Sequence, residues 1–115
     1  MTVTIYHNPR CSKSRQTLAL LQDRGIEPKA VEYLKDTPDA ATLDGFLKQL
    51  DMEPRALMRR KEAPYKDLNL DDPDLSRAAL IAAMVEHPVL IERPIVVKDG
   101  KVALGRPPEN VLEIL

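Results

Sequence analysis

A single cysteine, Cys11, stands in a chain of 115 residues. It has no partner within the chain, so neither a disulfide framework nor a multi-thiolate zinc site can hold the fold together. The chain must fold on apolar burial, and 43% hydrophobic residues at this length suffice for one independent core. A free thiol suits a reducing compartment, so the sequence predicts a cytoplasmic protein. Its first residues lack a basic segment followed by an apolar run, and no apolar stretch approaches the ~20 residues of a membrane span. The 17 basic and 18 acidic side chains are interspersed, and there is no Trp and one Phe. Without a basic field or a stacking surface, nucleic acid is not an expected partner.

Val3 to Tyr6 alternates β-formers, and His7-Asn8-Pro9-Arg10-Cys11 reads as a loop because Asn-Pro breaks both helix and strand. Ser12 can cap a helix running to about Arg24, with Leu18 and Leu21 inward and Gly25 as its left-handed stop. Val31 and Tyr33 then alternate with charges in a second short strand, which completes a right-handed, parallel βαβ unit. Thr37-Pro38 predicts a helix start, followed by Leu43, Phe46, Leu47 and Leu50 on one face. Around Pro54 a short helix is expected to carry Arg55, Leu57, Met58, Arg59 and Arg60, with helical spacing aiming Arg59 and Arg60 apart. Tyr65 and Leu68 fall in a polar stretch. Ser76 starts a further helix with Leu80, Ile81, Met84 and Val85 as its buried stripe, closed by Pro88. Ile95-Val96-Val97 is a buried strand, Asp99-Gly100 a two-residue hairpin turn, and Pro107-Pro108 opens a terminal helix.

The order is β-α-β, a helical insertion over about 37–88, then β-β-α, within one domain spanning 1–115. That is an α/β, thioredoxin-like fold with a mixed sheet. Such a fold places a cis-proline before its third strand, facing the reactive thiol, so Pro94 is expected to be cis.

Cys11 falls where the first strand hands over to the first helix, so free amide groups and the positive helix end face its sulfur. His7, Arg10, Lys13 and Arg15 add cationic or hydrogen-bonding neighbours, and together these favour a thiolate below the ordinary value of about 8.5. A packing cysteine would more often sit inside an apolar run; this one is bracketed by Pro-Arg and Ser-Lys-Ser-Arg. A phosphatase loop needs arginine six residues on, where Thr17 stands, and a dithiol motif needs cysteine at Ser14. What remains is Cys-Ser-Lys-Ser, a monothiol motif whose adducts require an external thiol for release. Arginines near the motifs are candidates for an oxyanion clamp, Arg93 above all because it abuts Pro94. His87 reads as an ordinary helix-end residue.

Four segments carry a family resemblance: Ile5-Tyr6-His7-Asn8-Pro9-Arg10-Cys11-Ser12-Lys13-Ser14-Arg15, Arg55-Ala56-Leu57-Met58-Arg59, His87-Pro88 with Glu92-Arg93-Pro94-Ile95-Val96-Val97, and Gly105-Arg106-Pro107-Pro108-Glu109. The chain resembles the glutaredoxin-dependent arsenate reductases of the ArsC type, within the superfamily that includes the Spx regulators. Cys-Ser-Lys-Ser in place of Cys-Gly-Thr-Ser, and the short chain, resemble the chromosomal branch. The resemblance implies Cys11 as nucleophile toward arsenate, His7 as a residue that lowers its pKa, and Ser14 beside them in the catalytic set. It implies Arg59, Arg93 and Arg106 as the oxyanion ligands, and Asn8 and Pro94 as structural residues of the site. It also implies glutathione as cosubstrate, glutaredoxin as partner, and no bound cofactor or metal. Two alternatives stay open: a monothiol enzyme exchanging glutathione with proteins, and a non-enzymatic, Spx-like binding protein.

Overall fold

Alternation along Val-Thr-Ile-Tyr-His produces strand β1, Val3–His7, in a computed structural model that describes residues 2–115. Val3, Ile5 and His7 face inward, because side chains two apart share a strand face. β1 pairs in parallel with β2, Lys29–Glu32, and antiparallel with β3, Ile95–Lys98; β3 then turns back antiparallel into β4, Lys101–Leu104. The strand order β2-β1-β3-β4 is the mixed sheet of a thioredoxin-like fold. Asp99 and Gly100 make the hairpin turn with both φ angles positive, as a two-residue turn that matches strand twist requires.

Helix α1, Ser12–Asp23, connects β1 to β2. Its N-cap is Cys11, one residue before the expected Ser12, because Cys11 keeps extended dihedrals while Ser12 already has helical ones. At the other end Gly25 takes φ +76, with its N–H and that of Ile26 closing on the carbonyls of Gln22 and Leu21. Leu21 packs with Val3, Ile5, Val96, Ala103 and Val111, and Leu18 is half-buried against this core. The terminal helix is a 3-10 segment, Pro108–Ile114. The peptides before Pro94 and Pro107 are both cis.

The segment up to Asp36 together with Arg93–Leu115 forms one compact unit, which contains the sheet. Thr37–Glu92 forms another. In this second unit α2 is Ala40–Leu50, and its N-cap is Asp39 rather than Thr37. The Asp39 carboxylate accepts the Thr42 N–H at 2.8 Å, and a charged oxygen is the stronger acceptor at a helix N-terminus. A 3-10 turn, Pro54–Leu57, ends before Met58, which is extended and bridges to Ile91. Arg59 and Arg60 therefore lie outside any helix, and the expectation that helical spacing separates them is overturned. Ala63–Asp67 forms α3 inside the stretch expected to be irregular, with Pro64 in its first turn. α4, Arg77–Glu86, starts at Ser76, whose hydroxyl accepts the Ala79 N–H. Leu80, Ile81 and Met84 are buried there; Val85 is only half-buried and Ala83 takes its place. Among the described residues no helix is long and apolar enough to cross a membrane.

Candidate active site

The β1–α1 junction builds the site from its own backbone. Asn8 accepts the Cys11 N–H through its main-chain oxygen at 3.0 Å, and its side-chain oxygen accepts the Arg10 N–H at 3.0 Å. These two bonds fold the Asn-Pro-Arg-Cys loop into a tight turn, which sets Cys11 at the helix start. The sulfur then occupies the place where serine or aspartate would cap, facing the N–H groups of Ser14 and Lys13.

Cys11 is 8% exposed. Burial alone would raise its pKa, yet the thiol lies below its ordinary range. The Ser14 N–H, the Arg93 guanidinium by hydrogen bond and by charge, and the Lys13 N–H outweigh the desolvation. A second guanidinium also reaches the sulfur, with Arg106 Nη2 3.7 Å from Sγ. Arg106 Nε donates to the Arg93 main-chain oxygen at 2.8 Å, which anchors the Arg106 guanidinium to the backbone of Arg93. The Asn110 side chain holds the Arg106 carbonyl at 2.9 Å. Gly105, just before Arg106, donates its N–H to the carbonyl of Pro94 at 2.9 Å. A Cβ at Gly105 would stand 2.7 Å from Thr17 Oγ1 and 2.8 Å from Pro94 Cγ, so any side chain there must displace one of these neighbours.

His7 lies deep in the same unit. Its Nδ1 is 2.6 Å from the Ser14 hydroxyl, which also accepts the Asn8 N–H at 3.0 Å. Burial holds the His7 pKa below its ordinary value, opposed by the Glu32 carboxylate and assisted by Arg15. In the neutral ring with its proton on Nε2, Nδ1 accepts the Ser14 hydroxyl. His7 thus steadies Ser14, whose main-chain N–H faces the thiol, while the charge that lowers the thiol comes from Arg93. Of the other expected cations, Lys13 acts through its backbone, and Arg15 Nη1 donates to the Pro9 carbonyl.

The structure therefore brings together Cys11, Ser14, His7, Asn8, Arg93, Pro94 and Arg106. Arg59 belongs to the 37–92 unit, where its Nη1 is 2.9 Å from Glu92 Oε1 and its Nε 3.8 Å from Glu62 Oε1. Arg55, from the same sequence motif, donates to the carbonyls of Leu70 and Asp72. Sequence reasoning passed over Gly105, Thr17 and Asn110. The only local signal for them was the Gly-Arg-Pro-Pro run. Among the described residues no three His, Cys, Asp or Glu side chains gather in a way that could hold a metal ion.

Chemically, the arrangement is a buried thiol whose pKa is lowered and on which two guanidinium groups converge. Guanidinium forks match the oxygens of a tetrahedral oxyanion. Comparison with known proteins points the same way. The model of the ArsC family matches residues 6–114. YfgD, an uncharacterized protein of Escherichia coli strain K12, is 61% identical over 114 residues, 98% of this chain and 96% of that protein. An arsenate reductase of Haemophilus influenzae is 53% identical over 116 residues, 100% of both chains. The structure of an arsenate reductase from Vibrio cholerae superposes with TM-score 0.96 at 59% identity, covering 100% of this chain and 98% of that one.

Proposed function

The chain belongs to the ArsC family, and from that membership and the Cys11 site we propose that it is a cytoplasmic arsenate reductase drawing electrons from glutathione and glutaredoxin. One observation carries the reading: Arg93 and Arg106 both reach the sulfur of a thiol whose pKa is held down. A thiol enzyme that only exchanges disulfides has no need of two guanidinium groups at its sulfur. An enzyme that attacks an oxyanion must neutralise the charge that otherwise repels its thiolate.

The Cys11 thiolate attacks arsenic, forming an S–As bond as one arsenate oxygen leaves as water. Arg93 and Arg106 hold the remaining oxygens. The thiol of glutathione then displaces a second oxygen, again as water. Glutaredoxin's thiol attacks the glutathione sulfur and forms a disulfide with it. The electron pair of the broken As–S bond stays on arsenic, which becomes trivalent. Water cleaves the Cys11–As bond and releases arsenite. In sum, arsenate and two thiols give arsenite, one disulfide and one water. Ser14 and His7 keep the thiolate in place, and Asn8 and Pro94 shape the loop and strand that flank it. No bound cofactor is required.

The test is multiple turnover with arsenate, followed by NADPH oxidation, with glutathione, glutaredoxin and glutathione reductase in one arm and thioredoxin plus its reductase in the other. Turnover in the first arm and little in the second is expected, because Cys11 has no neighbouring thiol with which to form an internal disulfide for thioredoxin to reduce. Equal rates defeat the glutaredoxin assignment. Release of glutathione from a glutathionylated peptide, without arsenate turnover, defeats the reductase reading.

A further inference from the structure

Beside the thiol opens a cleft of about 710 Å³ that the arsenate chemistry does not use. It lies within the sheet-containing unit, between the β1–α1 loop and the end of β2, and Arg10, Glu32, Leu34, Lys35 and Arg93 line it. Its volume is that of a small-ligand site. Arg93 belongs to both places, since it lines the cleft and hydrogen-bonds the Cys11 sulfur. Arg10, Glu32 and Lys35 form no salt bridge with any described residue. Leu34 is 43% exposed, a large apolar side chain left open at the cleft wall. Glu32 is the last residue of β2 and pairs with His7 in the strand register, which places it at the sheet end that borders the cleft.

We propose that this cleft seats the thiol cosubstrate, a small peptide thiol with two carboxylates and one ammonium, which is the chemistry of glutathione. The inference rests on the glutathione step proposed above. Arg10 and Lys35 take the carboxylates, Glu32 takes the ammonium, and Leu34 packs on the apolar stem between them. The charge pattern decides the class: an inorganic anion has no use for Glu32, and an amine without carboxylates has none for two cations. Seated there, the ligand lies against Arg93, the residue that the cleft shares with the thiol.

S-Methylglutathione, which cannot react, separates this proposal from the reductase reading because its binding needs no turnover. Titration of the full chain, followed by the Leu34 methyl resonances, is expected to give a saturable shift. Lys35→Glu should weaken binding by about tenfold or more, whereas the same charge reversal at exposed Lys101, on β4 and outside the cleft, should not. Glu32→Gln should abolish the preference for S-methylglutathione over its N-acetylated form. In turnover, Lys35→Glu should raise KM for glutathione and leave KM for arsenate unchanged. Binding without arsenate turnover upholds the cleft and defeats the reductase reading. The proposal is overturned if turnover proceeds but the Leu34 methyls do not respond, or if affinity is indifferent to Lys35→Glu. It is equally overturned if the variant raises KM for glutaredoxin alone, which would make the cleft a protein-docking surface.

Discussion

Gly105→Ala tests whether close packing, rather than backbone freedom, positions Arg106. The φ of Gly105 is not in the left-handed region, so alanine adopts this backbone without intrinsic strain. The cost is steric: the new Cβ stands 2.7 Å from Thr17 Oγ1 and 2.8 Å from Pro94 Cγ. Neither neighbour yields easily, since Thr17 is fully buried with its hydroxyl donating to the Lys13 carbonyl at 2.9 Å, and Pro94 is a ring. Overpacking of this kind costs about 1–3 kcal/mol. With an unfolding entropy of about 2.1 cal/mol/K per residue, each kcal/mol lowers the Tm of 115 residues by roughly 4 °C. Calorimetry should therefore show Tm reduced by about 4–12 °C. Thr17→Ala removes Oγ1 and Cγ2, and in the double variant it should recover about 1 kcal/mol relative to additivity. Well below the transition, kcat/KM for arsenate should still fall, because the displaced backbone carries Arg106 away from the sulfur. A Tm within about 1 °C of the parent, or fully additive losses, would refute the packing argument.

Cys11→Ser should abolish arsenate reduction while leaving the circular dichroism spectrum unchanged, because a serine hydroxyl is not ionised near neutral pH. Alkylation rate against pH should show a Cys11 inflection below the ordinary thiol range, moved upward in Arg93→Ala as one of the lowering groups is lost. Arg93→Ala should cost about 10²-fold in kcat/KM and Arg60→Ala little, since Arg93 hydrogen-bonds the thiol and Arg60 is exposed; equal losses would show the wrong arginine has been placed. The depressed pKa of His7 means that the unfolded chain takes up its proton first as pH falls through 6.5. Stability should then decline with acidification until the folded form protonates as well. Tm followed over that range should fall more steeply for the parent than for His7→Gln.

Much of the site's location could be read locally. A strand with period two, an Asn-Pro loop and a helix start put Cys11 at a ring of free amides, whatever the rest of the chain does. The same alternation placed His7 on the inward face of β1, from which its burial follows. Asp99-Gly100 and Gly25 act over two or three residues, so their turns were legible too. The competition between Thr37 and Asp39 for one helix start was not, because both are capping residues and only the path of the chain selects between them. The arginines depended most on tertiary structure. Arg106 is 95 residues from the sulfur it meets, and no spacing rule spans such a distance. Arg55 is tied to the carbonyls of Leu70 and Asp72, Arg59 to the carboxylates of Glu92 and Glu62, and Arg93 to the thiol. A guanidinium takes whichever acceptor folding brings within reach, so its role is set by long-range contacts that its neighbours in sequence do not encode.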